Sequence, residues 1–370
     1  MASIRTALLT SSLALAGAAS AQTSSVQLEG NIGAGLTYKN HQTGGSTLRE
    51  VTPNVLTASW LRFGGSEDLG GGMKAIFRLE NAVAMDTGIA GGNGAGGSKF
   101  FNRQSWVGLD LGGAGAITLG RQFHAVIDRV IRTLDVYNVA GSSLHNTPLA
   151  LFGVNRFNGN DSRVDNSVKY RFGMPGVIDF ALSYGFGEVG GDTRLGRSYS
   201  AEVSQTTPVY SVGAALVSFN APAVVATTGF LPKHSLAVVG GNVTLGAFRP
   251  YVAYYSSKLD STTAGRLTQK NRIIDLGLAW TLAAPVIVKA NYVDDKGTSL
   301  NGVEGRDGHK KTVVLSAQFY LSKRTQLNAA VFSNHFGDGY KAEAANLAAL
   351  GRDPDASSMR GISAGIVHTF

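Results

Sequence analysis

A chain of 370 residues with 48 glycines, no cysteine and a formal charge of +8 has no disulfide staples to hold an exported fold. Beyond residue 21 nothing approaches the roughly 20 consecutive apolar residues of a membrane-spanning helix. The basic surplus would fit nucleic acid in a cytoplasmic protein, but the N-terminus excludes that partner.

Residues 1–21 read as a secretory signal. Arg5 supplies the positive start, Ala7 to Ala18 the short apolar stretch, and Ala19-Ser20-Ala21 the cleavage site. The mature chain is therefore expected to be one domain, residues 22–370. Its surplus of Lys and Arg either biases a pore toward anions or binds lipopolysaccharide phosphates at the surface. Composition does not choose between them.

The first mature segment sets the pattern. Val26, Leu28, Gly30, Ile32, Ala34, Leu36 and Tyr38 alternate with Gln27, Glu29, Asn31, Gly33, Gly35, Thr37 and Lys39. Such alternation means a strand with one apolar and one polar face. It exceeds the about 5–6 residues usual in soluble sheets and suffices for the roughly 9–11 of a bilayer crossing. The pattern recurs at Thr312–Leu321 and Gly361–Phe370. In chain order it predicts strands near 26–39, 52–65, 73–84, 100–111, 115–121, 164–173, 176–187, 196–206, 208–219, 234–245, 248–258, 271–282, 285–294, 311–321, 325–335 and 360–370. That count is sixteen, even as single-chain bacterial barrels require, and wide enough for an aqueous channel.

Connection lengths alternate too. Tight turns at 67–72, 112–114, 173–175, 206–207, 246–247, 283–284 and 322–324 separate longer stretches such as 85–99, 220–233, 295–310 and 336–359. This is the asymmetry of periplasmic turns and external loops. The third long connection, 123–163, is too long to be structureless without a function. Ile127, Val130, Ile131 and Leu134 follow helical spacing, with Asp128, Arg132 and Asp135 on the opposite face. An apolar face on the inner wall and charges toward the lumen would narrow the pore. The alternative is an external loop with a solvated charged face. A small helix is expected at 342–350, ended by Gly351.

Several segments carry a family resemblance. They are Ser24-Ser25-Val26-Gln27-Leu28-Glu29-Gly30, the run from Phe63-Gly64-Gly65-Ser66-Glu67-Asp68-Leu69-Gly70 to Phe77-Arg78-Leu79-Glu80, and Phe101-Asn102-Arg103-Gln104-Ser105-Trp106-Val107-Gly108-Leu109. Leu119-Gly120-Arg121-Gln122, Arg163-Val164-Asp165-Asn166-Ser167-Val168-Lys169-Tyr170 and a terminal Phe370 complete the set. Together the chain resembles the general diffusion porins of Gram-negative bacteria, of the type common in β-proteobacteria. The resemblance implies an all-β, 16-stranded antiparallel transmembrane barrel in the outer membrane, with the long third loop folded into the lumen. It further implies a homotrimer and a C-terminal aromatic read by the barrel-assembly machinery.

It also implies a constriction with basic residues on the wall facing acids on the loop. Strand parity then selects residues. Ala75, Phe77 and Leu79 toward lipid put Lys74, Arg78 and Glu80 in the lumen. Trp106 toward lipid puts Arg103, Ser105 and Val107 inside. Val168 and Tyr170 outward put Arg163, Lys169 and Arg171 inside. Where the family reads Ser-Arg-aliphatic-Gly, this chain has Ser59-Trp60-Leu61-Arg62, so Arg62 supplies the charge two residues along. The expected basic wall is Arg62, Lys74, Arg78, Arg103 and Arg163. The expected acidic side is Glu80, Asp128 and Asp135. Trp60, Trp106, Tyr38, Tyr292 and Phe370 are candidates for interfacial girdles.

Signals for other chemistry are weak. Gly361-Ile362-Ser363-Ala364-Gly365 spells a nucleophile elbow but lies within a strand rather than a strand–turn–helix. The histidines form no helical zinc pair, Asp294-Asp295 and the acids at 353–355 read as solvated charge, and no cofactor is expected. The function expected is passive diffusion of small hydrophilic solutes and ions with modest anion preference. A substrate-selective porin for organic anions or phosphate is the alternative, and an enzyme or a plugged structural barrel ranks below both.

Overall fold

The computed structural model describes residues 24–53, 55–90, 99–129, 154–157 and 161–370. The signal segment and Asp135 lie outside them. The alternating segments form β1 (Ser24–Gln42), β2 (Ser46–Thr52), β3 (Trp60–Gly70), β4 (Met73–Ala82), β5 (Gln104–Asp110), β6 (Ala116–Phe123), β7 (Arg163–Met174) and β8 (Ile178–Gly185). β9 (Ser198–Thr206), β10 (Tyr210–Asn220), β11 (Lys233–Val243), β12 (Phe248–Leu259) and β13 (Gln269–Ala283) follow. β14 (Val286–Thr298), β15 (Gly308–Tyr320), β16 (Thr325–Phe336) and β17 (Ser358–Thr369) complete the wall. Two short helices are α1 (Ala125–Arg129) and α2 (Ala344–Leu350).

From β3 to β17 each strand pairs antiparallel with the next, β3 also pairs with β1, and β17 returns to β1, so the sheet closes. β2 and β3 both pair with β1, β2 through Gly35↔Thr52 and β3 through Asn31↔Trp60. They are one stave broken between Thr52 and Trp60, so seventeen strand segments make sixteen staves. The expected single strand at 52–65 is corrected to this broken one. Pro53, which has no N–H for a ladder, stands at the break. Ser59 Oγ donates to the Gly33 and Pro53 carbonyls, and Asn31 Nδ2 donates to the Ala58 carbonyl at 2.7 Å. Val55 and Leu56, both buried, are thereby held against the inner wall.

The seam closes at its end through paired backbone bonds, Gly30 N to Phe370 O at 3.0 Å and Phe370 N to Gly30 O at 3.1 Å. The Phe370 ring occupies the space where a side chain at position 30 would stand, so any larger residue there would have to displace the ring. Outward faces carry the exposed apolar residues, among them Leu36, Val107, Leu182, Val212 and Leu315, while inward neighbours are buried or polar. With no water in the hydrocarbon to satisfy backbone groups, only such a closed ladder can cross a bilayer with strands.

The parity of β5 differs from expectation. Val107 and Leu109 are exposed on the outside, whereas Trp106 faces the lumen opposite Arg78. Its ring lies under the Arg78 guanidinium at 5.5 Å, and its indole N–H donates to Gln104 Oε1 at 3.1 Å. Trp60 likewise faces inward, under Arg62 at 4.9 Å. Both tryptophans leave the girdle set. Their flat faces serve cations in the lumen instead of a lipid interface. Tyr38, Tyr292 and Phe370 remain exposed on the outside.

The last external connection turns back over the wall. α2 is capped by Glu343, whose carboxylate accepts from Asn346 N at 2.7 Å, and ends at left-handed Gly351. Arg352 lies over the Phe336 ring at 4.1 Å and donates to the Lys341 and Ala356 carbonyls. Burial, reinforced by nearby Asp295, pushes the Tyr340 hydroxyl well above its usual range, so it stays protonated.

Candidate functional site

Two charge clusters stand on the inner wall. The first lies on β3–β7. Glu80, buried on β4, faces Arg62 across one ladder and Gln104 across the other. Arg103 Nε donates to Glu80 Oε1 at 2.5 Å and its backbone N–H to the Glu80 carbonyl at 3.1 Å, which brings this residue inward although it precedes β5. Arg62 pairs with Glu29. Arg163 lies over the Phe123 ring at 4.4 Å, and Arg103 over the same ring at 5.9 Å. Four arginines, Arg62, Arg78, Arg103 and Arg163, thus meet two inner-wall carboxylates, Glu29 and Glu80. Asp161, at 3.6 Å from Arg163, is shared with Arg121. A register shift at Gly120 re-aims the end of β6. Arg121 there binds Asp161, Asp165 and the Asn102 carbonyl, a clamp on the strand end.

The second cluster fastens the long connection to the wall. Ala125, Val126 and Ile127 of α1 pack into an apolar patch of inward residues that includes Val217, Phe219, Leu236, Val238 and Ile273. Phe157, at the described far end of the same connection, packs on that patch too. Both described ends therefore sit on the lumen face. The polar side of α1 makes ion pairs. Asp128 binds Lys169 and Arg171 of β7. Arg129 binds Asp179 of β8 at 2.6 Å, Glu202 of β9 at 3.3 Å and the Ser204 hydroxyl. Arg171 also binds Asp179 at 2.8 Å and Glu202. Three cations face three carboxylates, so the cluster is neutral in sum.

The structure brings Arg62, Arg78, Arg103, Arg163 and Glu80 together. Glu80 is embedded within the arginines and not across the lumen from them. Lys74 is apart. It lies six residues along β4 from Glu80, about 20 Å at ~3.3 Å per residue, between Asp68 and Asp110 on the neighbouring strands. Asp128 does not face the basic wall over a gap but is bonded directly to the wall's own Lys169 and Arg171. The sequence reading missed Arg129, Asp179 and Glu202. For Asp179 and Glu202 the signal available was inward strand parity, a carboxylate on a face of small residues such as Ala181, Ser200 and Ser204; for Arg129, on a helix, strand alternation offered none.

A closed strand wall with an apolar exterior and a charged interior defines a bacterial outer-membrane channel. The chain belongs to the Gram-negative porin family, whose sequence pattern matches residues 6–339. It is 26% identical to outer membrane porin protein 32 of Delftia acidovorans over 363 residues, 97% of each chain. It is 34% identical to major outer membrane protein P.IA of Neisseria meningitidis over 137 residues, 31% of this chain and 32% of that one. Among solved structures it superposes on an anion-selective porin from Comamonas acidovorans with a TM-score of 0.74 and 21% identity, covering 94% of this chain and 100% of the other. Outer-membrane expressed OmpT of Vibrio cholerae gives a TM-score of 0.69 at 15% identity, covering 95% and 99%. The protein is a porin, a water-filled channel for passive diffusion of small hydrophilic solutes.

Proposed function

We propose that this channel prefers anions modestly and that Arg78, Arg103 and Arg163, with Arg62 beside them, form the basic wall of its constriction. The observation that carries the reading is the unequal charge of the two clusters. The neutral one fastens the connection, while the arginine cluster keeps a positive excess. Half-buried charge at the edge of a narrow aqueous gap still attracts anions, and the water and salt in the gap keep that attraction weak enough for release. The described ends of the long connection, residues 124–129 and Phe157, lie on the lumen face and narrow the channel there. Lys74 stands outside this constriction. The similarity to an anion-selective porin supports the same direction. Reversal potentials in planar bilayers under a salt gradient test it, and a clear cation preference refutes it.

The finer partners belong to the same reading. Mature material begins at Gln22, and intact-mass measurement of protein extracted from outer membranes should give the mass of residues 22–370. The assembled form is a homotrimer; chemical crosslinking in membranes should give a three-chain species. Phe370 is the residue recognised by the barrel-assembly machinery. Replacing it with alanine should lower the yield of heat-modifiable folded barrel several-fold, because recognition and the packing of the ring on Gly30 are lost while the backbone bonds of the seam remain.

A further inference from the structure

Every arginine of the basic wall lies over an aromatic ring. Arg62 stands over Trp60 at 4.9 Å and Arg78 over Trp106 at 5.5 Å, while Arg103 and Arg163 share Phe123 at 5.9 and 4.4 Å. Drawing small inorganic anions into a pore needs only charge and water. An apolar ring on the wet face also gives up burial that lipid or core would offer. Of the chain's three tryptophans, Trp280 lies outward against Phe248. Trp60 and Trp106 stand half-buried on the lumen face instead.

The register brings these two tryptophans to one place. Arg62 faces Glu80 across β3 and β4, and the next inward row reads Gly64, Arg78, Trp106 across β3, β4 and β5. Trp60 lies two residues before Arg62 on the same face, opposite Ala82. Gly64 leaves a gap in this wall. The first carbon of a side chain there would meet only the Phe77 carbonyl oxygen, at 3.7 Å. The gap is bordered along β3 by Arg62 and across the ladder by Arg78, and an indole backs each guanidinium.

The geometry points to a transient binding place for planar aromatic carboxylates over Gly64, between the Arg62–Trp60 and Arg78–Trp106 pairs. The carboxylate takes the edge of a guanidinium in charge-assisted hydrogen bonds. A guanidinium carries five N–H donors, so a pair such as Arg62 with Glu29 does not exhaust it. The solute's ring stacks on a guanidinium or indole face, a contact that arginine makes and lysine does not. An aliphatic anion of equal charge gains the first contact without the second. The inference rests on the basic wall proposed above and names the organic solutes that the wall favours.

The test uses protein extracted from outer membranes and reconstituted in planar bilayers, with benzoate as probe. Cyclohexanecarboxylate, a ring of like size and charge without aromatic faces, is the first control, and neutral benzamide is the second. An aromatic pair is worth about fivefold beyond the area it buries. Benzoate should therefore reduce the open current at about fivefold lower concentration than cyclohexanecarboxylate, and benzamide should do so least. In Trp60→Leu/Trp106→Leu that ratio should fall to about one, and in Trp60→Phe/Trp106→Phe it should persist. Gly64→Val, which fills the gap, should raise the blocking concentration of benzoate. Because the ratio is taken within one channel, a change in conductance cancels from it. Equal blocking concentrations for the two carboxylates in the parent protein overturn the proposal, and that comparison needs no variant. So does a ratio unchanged in the double leucine variant, or block by benzamide as strong as by benzoate. Reversal potentials in potassium chloride separate the two readings. Cation preference counts against the basic wall, whereas equal block with anion preference intact counts against the aromatic site alone.

Discussion

Arg129→Ala should give a channel of higher single-channel conductance whose open current fluctuates. Arg129 is 2% exposed and its partner Glu202 has a fully buried side chain. Removing one member of a buried ion pair strands the other charge, at a typical cost of about 3–5 kcal/mol. Here that cost falls on the contact between α1 and the wall, because Arg129 joins the helix to Asp179, Glu202 and Ser204 at once. Glu202 keeps Arg171, so the lower end of the range applies. The barrel ladder does not pass through Arg129 and should survive. Detachment thus appears in conductance and noise, with folded yield unchanged. Arg129→Lys, keeping the charge but losing the two-pronged geometry, should fall between. An Arg129→Ala channel with the parent's conductance and a quiet current would mean that α1 is held by the apolar patch alone.

Arg103→Ser and Arg163→Ser should each lower the anion-to-cation permeability ratio by about fivefold, and together move the channel toward cations. The magnitude follows from a unit charge acting at ~5 Å in water, about 0.8 kcal/mol. Salt near 0.1 M, with its ~10 Å Debye length, trims this to about 0.5 kcal/mol. That is about twofold on the local concentration of each ion, in opposite directions, hence about fivefold on their ratio. Glu80→Gln should act with the opposite sign, since it removes the carboxylate that Arg103 holds. Reversal potentials across the set decide the matter. A ratio unmoved in both arginine variants would place the selective region elsewhere.

Much of the wall was legible because lipid imposes a strict two-residue period. β1, β15 and β17 could be drawn directly from alternation. The break in the second stave was harder, since residues 52–65 still read as a run of strand formers, and only Pro53 marks the fault. Trp106 misled for a physical reason. An indole is apolar enough to read as lipid-facing, yet its face binds a guanidinium and its N–H needs an acceptor. Arg78 and Gln104 supply both from inside. The pairing of Asp128 with Lys169, or Arg129 with Glu202, was out of reach. It depends on how a connection of some forty residues meets strands far along the chain, and a one-residue slip in register would send each partner to the opposite face.

The neutrality of the α1 cluster has a consequence for substitution. The ion pairs that fasten α1 and the arginines over Phe123 are different side chains, so exchanging Arg103 or Arg163 leaves the pairs of Asp128 and Arg129 in place. The two sets meet at Phe123, whose ring carries Arg103 and Arg163 and also packs in the apolar patch under α1, so substitutions of Phe123 itself should move conductance and ion preference together.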